Sequence, residues 1–204
     1  MATLRLALAT TIAVALGAPA ANAGLVSGIT GTVLPSCGPT STPFSQFGDP
    51  RSYYAVPDNG LEGGASGWTL SGATVVAGNE PWFVSGRGRS ALALPPGASA
   101  LSPAACINLL APSIRLFAEG QRPNGSLRVE VLFRGITGNL LGVLNTGDLE
   151  PGDYTSWRPT TSVPSLLAVP LATTSFQVRF TSKASRGTWL IDDLYVDPWA
   201  NRVG

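Results

Sequence analysis

The stretch TWLIDDLYVDP, residues 188–198, has the apolar composition of a buried β-strand but carries two adjacent carboxylates at its centre. Side chains alternate between the two faces of a strand, so Asp192 and Asp193 are predicted to point to opposite sides. Asp192 shares its face with Leu190 and Leu194 and is predicted to point inward, whereas Asp193 is predicted to face solvent. A buried carboxylate without a partner is costly. Asp192 therefore needs a hard cation, an arginine, or backbone amides at the edge of the sheet.

Other short segments with a period of two residues precede this strand. The clearest is LRVEVLFR at 127–134, in which apolar and charged residues alternate, and residues 176–180 repeat the pattern. Further segments of this kind follow one another from Trp68 onward, separated by turn-forming residues. The best helix candidate, 163–171, is limited by two prolines. The regular spacing of short strands predicts one all-β domain, an antiparallel β-sandwich.

Composition disfavours several classes of function. The chain has 13 basic and 12 acidic residues, so no excess of positive charge favours nucleic acid or an anionic membrane surface as a partner. No histidine is present, which removes the commonest general base and the commonest zinc ligand. A chain with 24 glycines, 17 prolines and few charges fits short strands joined by many turns.

The N-terminal segment, residues 1–23, is predicted to be a Sec signal peptide. Arg5 is followed by an apolar run at 6–17 and by a small-residue cleavage pattern that ends at Ala23. The apolar run is shorter than the roughly 20 residues that span a bilayer, so no membrane span is predicted. The mature chain is expected to begin at Gly24 and to be secreted, outside the cell or at its envelope.

The mature chain is divided by its composition. Residues 24–57 are predicted to be an extended lead-in whose aromatic side chains pack on the body, 58–198 the β-sandwich, and 199–204 a C-terminal tail. Cys37 and Cys106 are the two cysteines of the chain. An even number of cysteines in an exported protein favours one disulfide. Two free thiols or a metal pair remain the alternative.

Two motifs at the ends of the predicted sandwich resemble a known class of domain. The sequence DNGLEGG at 58–64, with GWTLSG at 67–72, resembles the opening of jelly-roll carbohydrate-binding modules. The sequence LIDDLYV at 190–196 resembles their closing strand. The resemblance implies a galactose-binding-like jelly roll. The mature sequence as a whole is similar to a group of small uncharacterised secreted bacterial proteins.

The resemblance also implies a metal site. In these domains the first and last strands are adjacent and often hold a structural calcium ion. Carried over to this chain, the ligands are Glu62 and Asp192, with Asp193 the less favoured choice, and carboxylates suit Ca²⁺. The chain departs from the pattern at Leu61, where phenylalanine is usual.

Carbohydrate recognition uses exposed aromatic rings flanked by polar side chains. The candidates are Trp82, Trp157 and Tyr154, which fall in predicted loops or at strand ends. The alternative for any of the tryptophans is packing: Trp68 and Trp189 in the core, and Trp82 and Trp199 under the lead-in.

The leading hypothesis is a secreted, non-catalytic β-sandwich module that binds carbohydrate outside the cell or at its envelope. A structural or adhesion module that binds protein, or no small ligand, remains an alternative. A small glycan hydrolase is the other, because two carboxylates facing each other across a cleft suffice for that chemistry. The sequence does not predict the oligomeric state.

Overall fold

The computed structural model describes residues 37–86, 88–107, 113–164, 170 and 172–197. All of these belong to one of the two units into which the chain divides, residues 34–204. The described residues contain β-strands and two short 3-10 helices, Ser45–Phe47 and Pro151–Asp153, and no α-helix. No helix among them is long and apolar enough to cross a bilayer. The predicted signal peptide and C-terminal tail lie outside the described residues.

The strands form two sheets in which neighbours run antiparallel. The first sheet contains β1 (Thr40–Ser41), β2 (Tyr53–Ala55), β4 (Thr74–Ala77), β5 (Ser90–Leu94), β8 (Ser113–Gln121), β11 (Arg158–Pro159), β12 (Val163–Pro164) and β14 (Thr188–Val196). The second contains β3 (Thr69–Ser71), β6 (Ser99–Leu101), β7 (Ala105–Cys106), β9 (Leu127–Arg134), β10 (Leu140–Leu149) and β13 (Ser175–Ser182). The predicted all-β jelly-roll sandwich is confirmed.

The main core lies between the two sheets and follows the predicted alternation in the second one. In β9 and β13 the apolar positions are buried and the charged positions between them are partly exposed. The largest side chain of this core, Trp189, is fully buried, and its indole nitrogen donates a hydrogen bond to the carbonyl of Gly125 at 2.9 Å. Because only one face of the second sheet packs on the core, the alternation of apolar and polar residues along its strands determines which side chains are buried.

A second hydrophobic cluster covers the opposite face of the first sheet. Its fully or nearly fully buried members are Phe44, Tyr53, Phe117 and Tyr195, and we call it the outer aromatic cluster. The Phe44 ring packs 5.0 Å from that of Tyr53 and 5.5 Å from that of Phe117, measured between centroids. Aromatic side chains of residues 44–53 thus pack on the first sheet, and β1 and β2 extend that sheet.

The lead-in is anchored covalently as well. Cys37 and Cys106 form the predicted disulfide, with Cα atoms 5.4 Å apart. The hydroxyl of Tyr54 donates a hydrogen bond to the carbonyl of Cys106. Both contacts join the lead-in to β7 of the second sheet.

Within the lead-in, Asp49 is the centre of a buried ionic network. Its carboxylate accepts hydrogen bonds from Arg51 Nε at 2.7 Å, the Tyr53 hydroxyl at 2.6 Å and Arg115 Nη1 at 2.6 Å. The guanidinium of Arg115 also lies 4.3 Å from the centre of the Phe44 ring. Burial opposes ionisation of Asp49, yet the hydrogen bonds from Arg51, Tyr53 and Arg115 hold its pKa well below its usual range.

Strand β14 departs from simple alternation. Trp189 and Ile191 point into the main core, as do Leu194 and Val196, so the inward positions change from odd to even numbers within the strand. The register against β8 shifts between Asp192 and Tyr195, which is the mark of a β-bulge.

The bulge is centred on Asp193, whose φ of 53° lies in the left-handed region. Because of this extra residue, two predictions about the strand are wrong. Asp193 does not face solvent but is fully buried. Asp192 does not share a face with Leu194, because the residues after the bulge have changed sides.

Candidate functional site

Three carboxyl groups meet in a buried site that we call the carboxyl cluster. Asp192 and Asp193 come from the bulge of β14, and Glu80 comes from the loop after β4. Glu80 and Asp193 are 0% exposed and Asp192 is 2% exposed. Sequence reasoning missed Glu80, because it lies outside any periodic segment. The only signal was its place in the turn-forming stretch Gly-Asn-Glu-Pro at 78–81.

Asp192 is satisfied by backbone amides. Its Oδ2 accepts a hydrogen bond from the Glu80 amide at 3.2 Å, and its Oδ1 accepts one from the Asp193 amide at 2.8 Å. The structure thus provides Asp192 with two backbone amides, one from the loop after β4 and one from β14 itself.

Glu80 uses its carboxylate to hold its own loop. Oε2 accepts a hydrogen bond from the Trp82 amide at 2.5 Å, and Oε1 accepts one from the Val84 amide at 2.6 Å. These amides flank Phe83, whose φ of 52° is also in the left-handed region. A charged acceptor that holds both neighbouring amides stabilises this unusual backbone conformation.

Asp193 is the least satisfied member of the cluster. Its Oδ1 accepts a hydrogen bond from Asn59 Nδ2 at 3.2 Å, whereas its buried Oδ2 has no donor. None of the ion pairs formed by the described residues includes Glu80, Asp192 or Asp193. The cluster thus concentrates acidic groups without a basic side chain to neutralise them.

Burial and mutual repulsion control the protonation of the cluster. Burial, and then the nearby charge of Asp193, raise the pKa of Asp192 to about 8. Burial also raises the pKa of Asp193. The charge of Glu80 and a hydrogen bond with the Glu80 carboxyl group act in the same direction, whereas a hydrogen bond with Ser85 lowers the pKa. Near neutral pH the site therefore favours at least one bound proton.

The calcium ligands implied by the resemblance are not brought together. Glu62 lies at the surface, where its Oε1 accepts hydrogen bonds from the amides of Arg89 and Ser90 at 2.6 and 2.7 Å. Both oxygens of Asp192 are already engaged by amides. Across the described part of the chain, no group of three or more His, Cys, Asp or Glu side chains is arranged to hold a metal ion. Structural calcium at these residues stays a prediction.

Of the predicted sugar-binding aromatics, Trp82 and Trp157 are partly buried and Tyr154 is buried. Trp82 packs edge-on against Phe47 at 4.8 Å and lies 5.5 Å from Phe117, so it belongs to the outer aromatic cluster. Trp157 is partly buried against the same cluster. Tyr154 is 6% exposed and packs on Trp189 in the main core, where it is unavailable for stacking.

The packing alternative therefore describes Trp82, which lies under the lead-in as that alternative requires. It also describes Trp68 and Trp189, which pack on or within the main core.

An open depression lies instead beside the loop that Glu80 holds. It has a volume of about 750 Å³ and is lined by Phe83, Gly86, Gly88 and Arg89, and we call it the Phe83 depression. The Phe83 ring is 52% exposed, an unusual state for a large aromatic side chain. Sequence reasoning missed Phe83, because its neighbour Trp82 is the larger aromatic and nothing in the pattern indicates which of the two is the more exposed.

The backbone of this loop approaches its neighbours closely. A Cβ atom added to Gly88 would lie 1.8 Å from Asn79 Oδ1, so a side chain at this position would require the Asn79 side chain to move. A second, more polar depression of about 430 Å³ lies elsewhere and includes Asp148, Asp153 and Arg158. Asp148 is already paired with Arg128 at 3.1 Å.

No protein-family description matches the chain, and no curated protein matches it. Among solved structures, the chain is similar to the CBM22-1 xylan-binding domain of Paenibacillus barcinonensis Xyn10C, with 14% identity over 68% of this chain and 90% of that one and a TM-score of 0.45. It is similar to TmCBM61 in complex with β-1,4-galactotriose, with 14% identity, 70% and 96% coverage and a TM-score of 0.42.

A third similar structure is the enzymatically active domain of tailspike protein 4 from bacteriophage CBA120, with 14% identity, 70% of this chain covered and a TM-score of 0.48. This chain spans only 21% of that one. Similarity at these identities concerns the fold alone. Carbohydrate-binding modules are among the similar structures, and they are the class of domain that the two bracketing motifs resemble.

Proposed function

We propose that the protein is a secreted, non-catalytic β-sandwich module that binds carbohydrate at the Phe83 depression. The observation that carries the proposal is a half-exposed aromatic ring at an open depression, next to a charged side chain. Phe83 supplies the ring and the exposed Arg89 supplies the charge. Secretion is supported by the predicted signal peptide and by the disulfide, which is typical of oxidising compartments.

The chemistry of the depression suits a sugar. An aromatic face packs against the C–H face of a pyranose ring, and a guanidinium donates hydrogen bonds to hydroxyl or carboxylate oxygens. Gly86 and Gly88 have no side chains to cover the backbone between these two groups. The volume of about 750 Å³ lies within the usual range for small-ligand sites.

The burial of the carboxyl cluster supports a non-catalytic role. A glycosidase needs two carboxyl groups that reach the glycosidic bond from opposite sides. Glu80 and Asp193 are fully buried and engaged with backbone and side-chain groups of the protein, so they are not displayed in a cleft.

Substitution of Phe83 tests the site. The variant Phe83→Ala is expected to lose at least about tenfold in affinity for a bound polysaccharide, equivalent to about 1.4 kcal/mol, because the stacking surface is removed. The wild-type protein is first screened on a glycan array, and affinity is then measured by affinity electrophoresis and calorimetry. Ile136→Ala is the matched control, since Ile136 is 90% exposed and lies in the β9–β10 turn.

The two possible failures are distinct. Binding by wild type that Phe83→Ala leaves unchanged would contradict the site. If the wild-type protein is retained on none of the glycans, carbohydrate binding is contradicted and the structural or adhesion alternative is favoured.

A further inference from the structure

Arg89 lies at the edge of the Phe83 depression, on a fixed part of the backbone. Its amide donates a hydrogen bond to Oε1 of Glu62 at 2.6 Å, and its carbonyl accepts one from the amide of Gly78 at 2.9 Å. Ser90, the next residue, begins β5. Both backbone polar groups of Arg89 are thus held, while the residue is exposed and lines the depression.

Among the residues that the structure describes, the guanidinium of Arg89 has no ion-pair partner. Other guanidinium groups of the protein do pair with carboxylates, namely those of Arg51, Arg115, Arg128 and Arg179. Glu62 attracts the Arg89 guanidinium through its charge, but its Oε1 is engaged by the amides of Arg89 and Ser90. The guanidinium can therefore pair with an anionic group that comes from solution.

The other described residues that line the depression do not compete with Arg89 for an anion. The Gly86 amide donates to the carbonyl of Phe83 at 2.9 Å, and the Gly88 amide donates to the carbonyl of Gly86 at 3.0 Å. Neither glycine amide is therefore available to a ligand. Of the four described lining residues, Arg89 alone carries a charge, so a ligand there meets one positive group and no negative one.

A sugar acid uses this arrangement better than a neutral sugar does. A hexuronate has the C–H faces of a pyranose, which pack on an aromatic ring, and a planar carboxylate in place of the hydroxymethyl group. A guanidinium can donate two parallel hydrogen bonds to a carboxylate, and such charge-assisted bonds are roughly twice as strong as those between neutral groups. A hydroxymethyl group offers only neutral hydrogen bonds to the same guanidinium.

The protein as a whole offers little general attraction for a polyanion. Its 13 basic residues are balanced by 12 acidic ones. Any preference for an anionic polysaccharide must therefore come from a local group such as Arg89, and not from the net charge.

We infer that the carbohydrate bound at the Phe83 depression is a polymer of hexuronic acid. One carboxylate pairs with the guanidinium of Arg89, and the pyranose ring that carries it packs on Phe83. The inference rests on the proposed function and adds to it the chemical class of the carbohydrate.

Two matched pairs of polymers isolate the contribution of the carboxylate. They are polygalacturonate with its methyl ester, and alginate with its propylene glycol ester. Within each pair the rings and linkages are the same, and esterification removes the charge. Calorimetry at low ionic strength, in EDTA so that calcium cannot bridge protein and polymer, is expected to give at least about tenfold tighter binding to the acid in one pair or both.

Substitutions of Arg89 assign the preference to one side chain. Arg89→Gln is expected to lower the affinity for the preferred acid at least about tenfold and to make the affinities for acid and ester alike. Arg89→Lys keeps the charge without the planar fork, so an intermediate loss is expected. Arg186→Gln is the matched control, because Arg186 is exposed in the turn between β13 and β14 and does not line the depression. It should keep the wild-type preference.

Salt provides a test that needs no variant. Raising the NaCl concentration from about 0.02 M to about 0.5 M should reduce the ratio of acid to ester affinity in wild type, because salt screens the interaction of exposed charges. A ratio that does not change with salt would contradict pairing between Arg89 and a carboxylate.

Three other results would overturn the inference. They are equal affinity of wild type for acid and ester in both pairs, a wild-type preference that persists in Arg89→Gln, and an equal loss of preference in Arg186→Gln. Retention on neutral glycans alone would overturn the uronic-acid class and leave carbohydrate binding in place. Retention on no glycan would overturn the proposed function together with this inference, so the two failures are distinguishable.

Discussion

Replacing Asp49 by alanine is expected to lower the free energy of unfolding by about 3–5 kcal/mol, because the variant leaves buried positive charge without its partner. Asp49 and Arg115 are 8% and 9% exposed, and their contact of 2.6 Å joins the lead-in to β8. Alanine also removes the acceptor for the Tyr53 hydroxyl. Urea unfolding followed by circular dichroism gives the change in free energy.

Two further variants define the effect. Asp49→Asn keeps the shape of the side chain without its charge, so a smaller loss is expected. Asp153→Ala removes an exposed carboxylate and should change stability by no more than about 0.5 kcal/mol. A loss below about 1 kcal/mol for Asp49→Ala would contradict a stabilising role of the network.

The contribution of Asp49 also has a definite pH dependence. Because its hydrogen bonds hold its folded pKa well below the usual range, the stabilisation is complete above about pH 4, the unfolded value, and disappears as pH falls through the folded one. The difference between wild type and Asp49→Ala should therefore shrink in strong acid. This trend is opposite to that of Asp192, whose pKa is raised in the folded protein and whose contribution is lost on the alkaline side.

Removing the disulfide should have an effect of similar size. The double variant Cys37→Ser/Cys106→Ser opens a loop with a sequence separation of 69 residues, and the chain-entropy relation gives a loss of about 4 kcal/mol. The bond also holds the start of the described lead-in against β7, so the outer aromatic cluster should become less protected from exchange.

Each single substitution, Cys37→Ser or Cys106→Ser, is a control for the double variant. Because each breaks the same disulfide, it should lower the free energy of unfolding by about as much as the double variant does. Chemical reduction of wild type should reproduce the loss. Equal unfolding midpoints for wild type and the double variant would contradict the prediction.

The sequence predicts which side chains are buried most accurately for strands that have one face on the core and the other in solvent. For that reason, alternation in β9 and β13 identified the buried side chains of the second sheet. The disulfide was also predictable, because the chain has only two cysteines and an apparent export signal. Both predictions depend on information that is local or compositional.

The candidate site was harder to predict, because it depends on one inserted residue and one loop. The bulge at Asp193 reverses which residues of β14 face inward, and no periodic pattern records an insertion of a single residue. Partial burial of Trp82 and exposure of Phe83 depend on how the loop packs against Phe47 and Phe117. Such tertiary packing is not encoded in the local spacing of aromatic residues.

The bulge has one more consequence, for the cooperativity of the molecule. After it, Leu194 and Val196 remain in the main core while Tyr195, between them, belongs to the outer aromatic cluster. Three consecutive residues of one strand therefore contribute to both hydrophobic clusters, and neither can lose its packing without disturbing the other. The lead-in and the sandwich should accordingly unfold in a single transition, with no intermediate in which only the lead-in has detached.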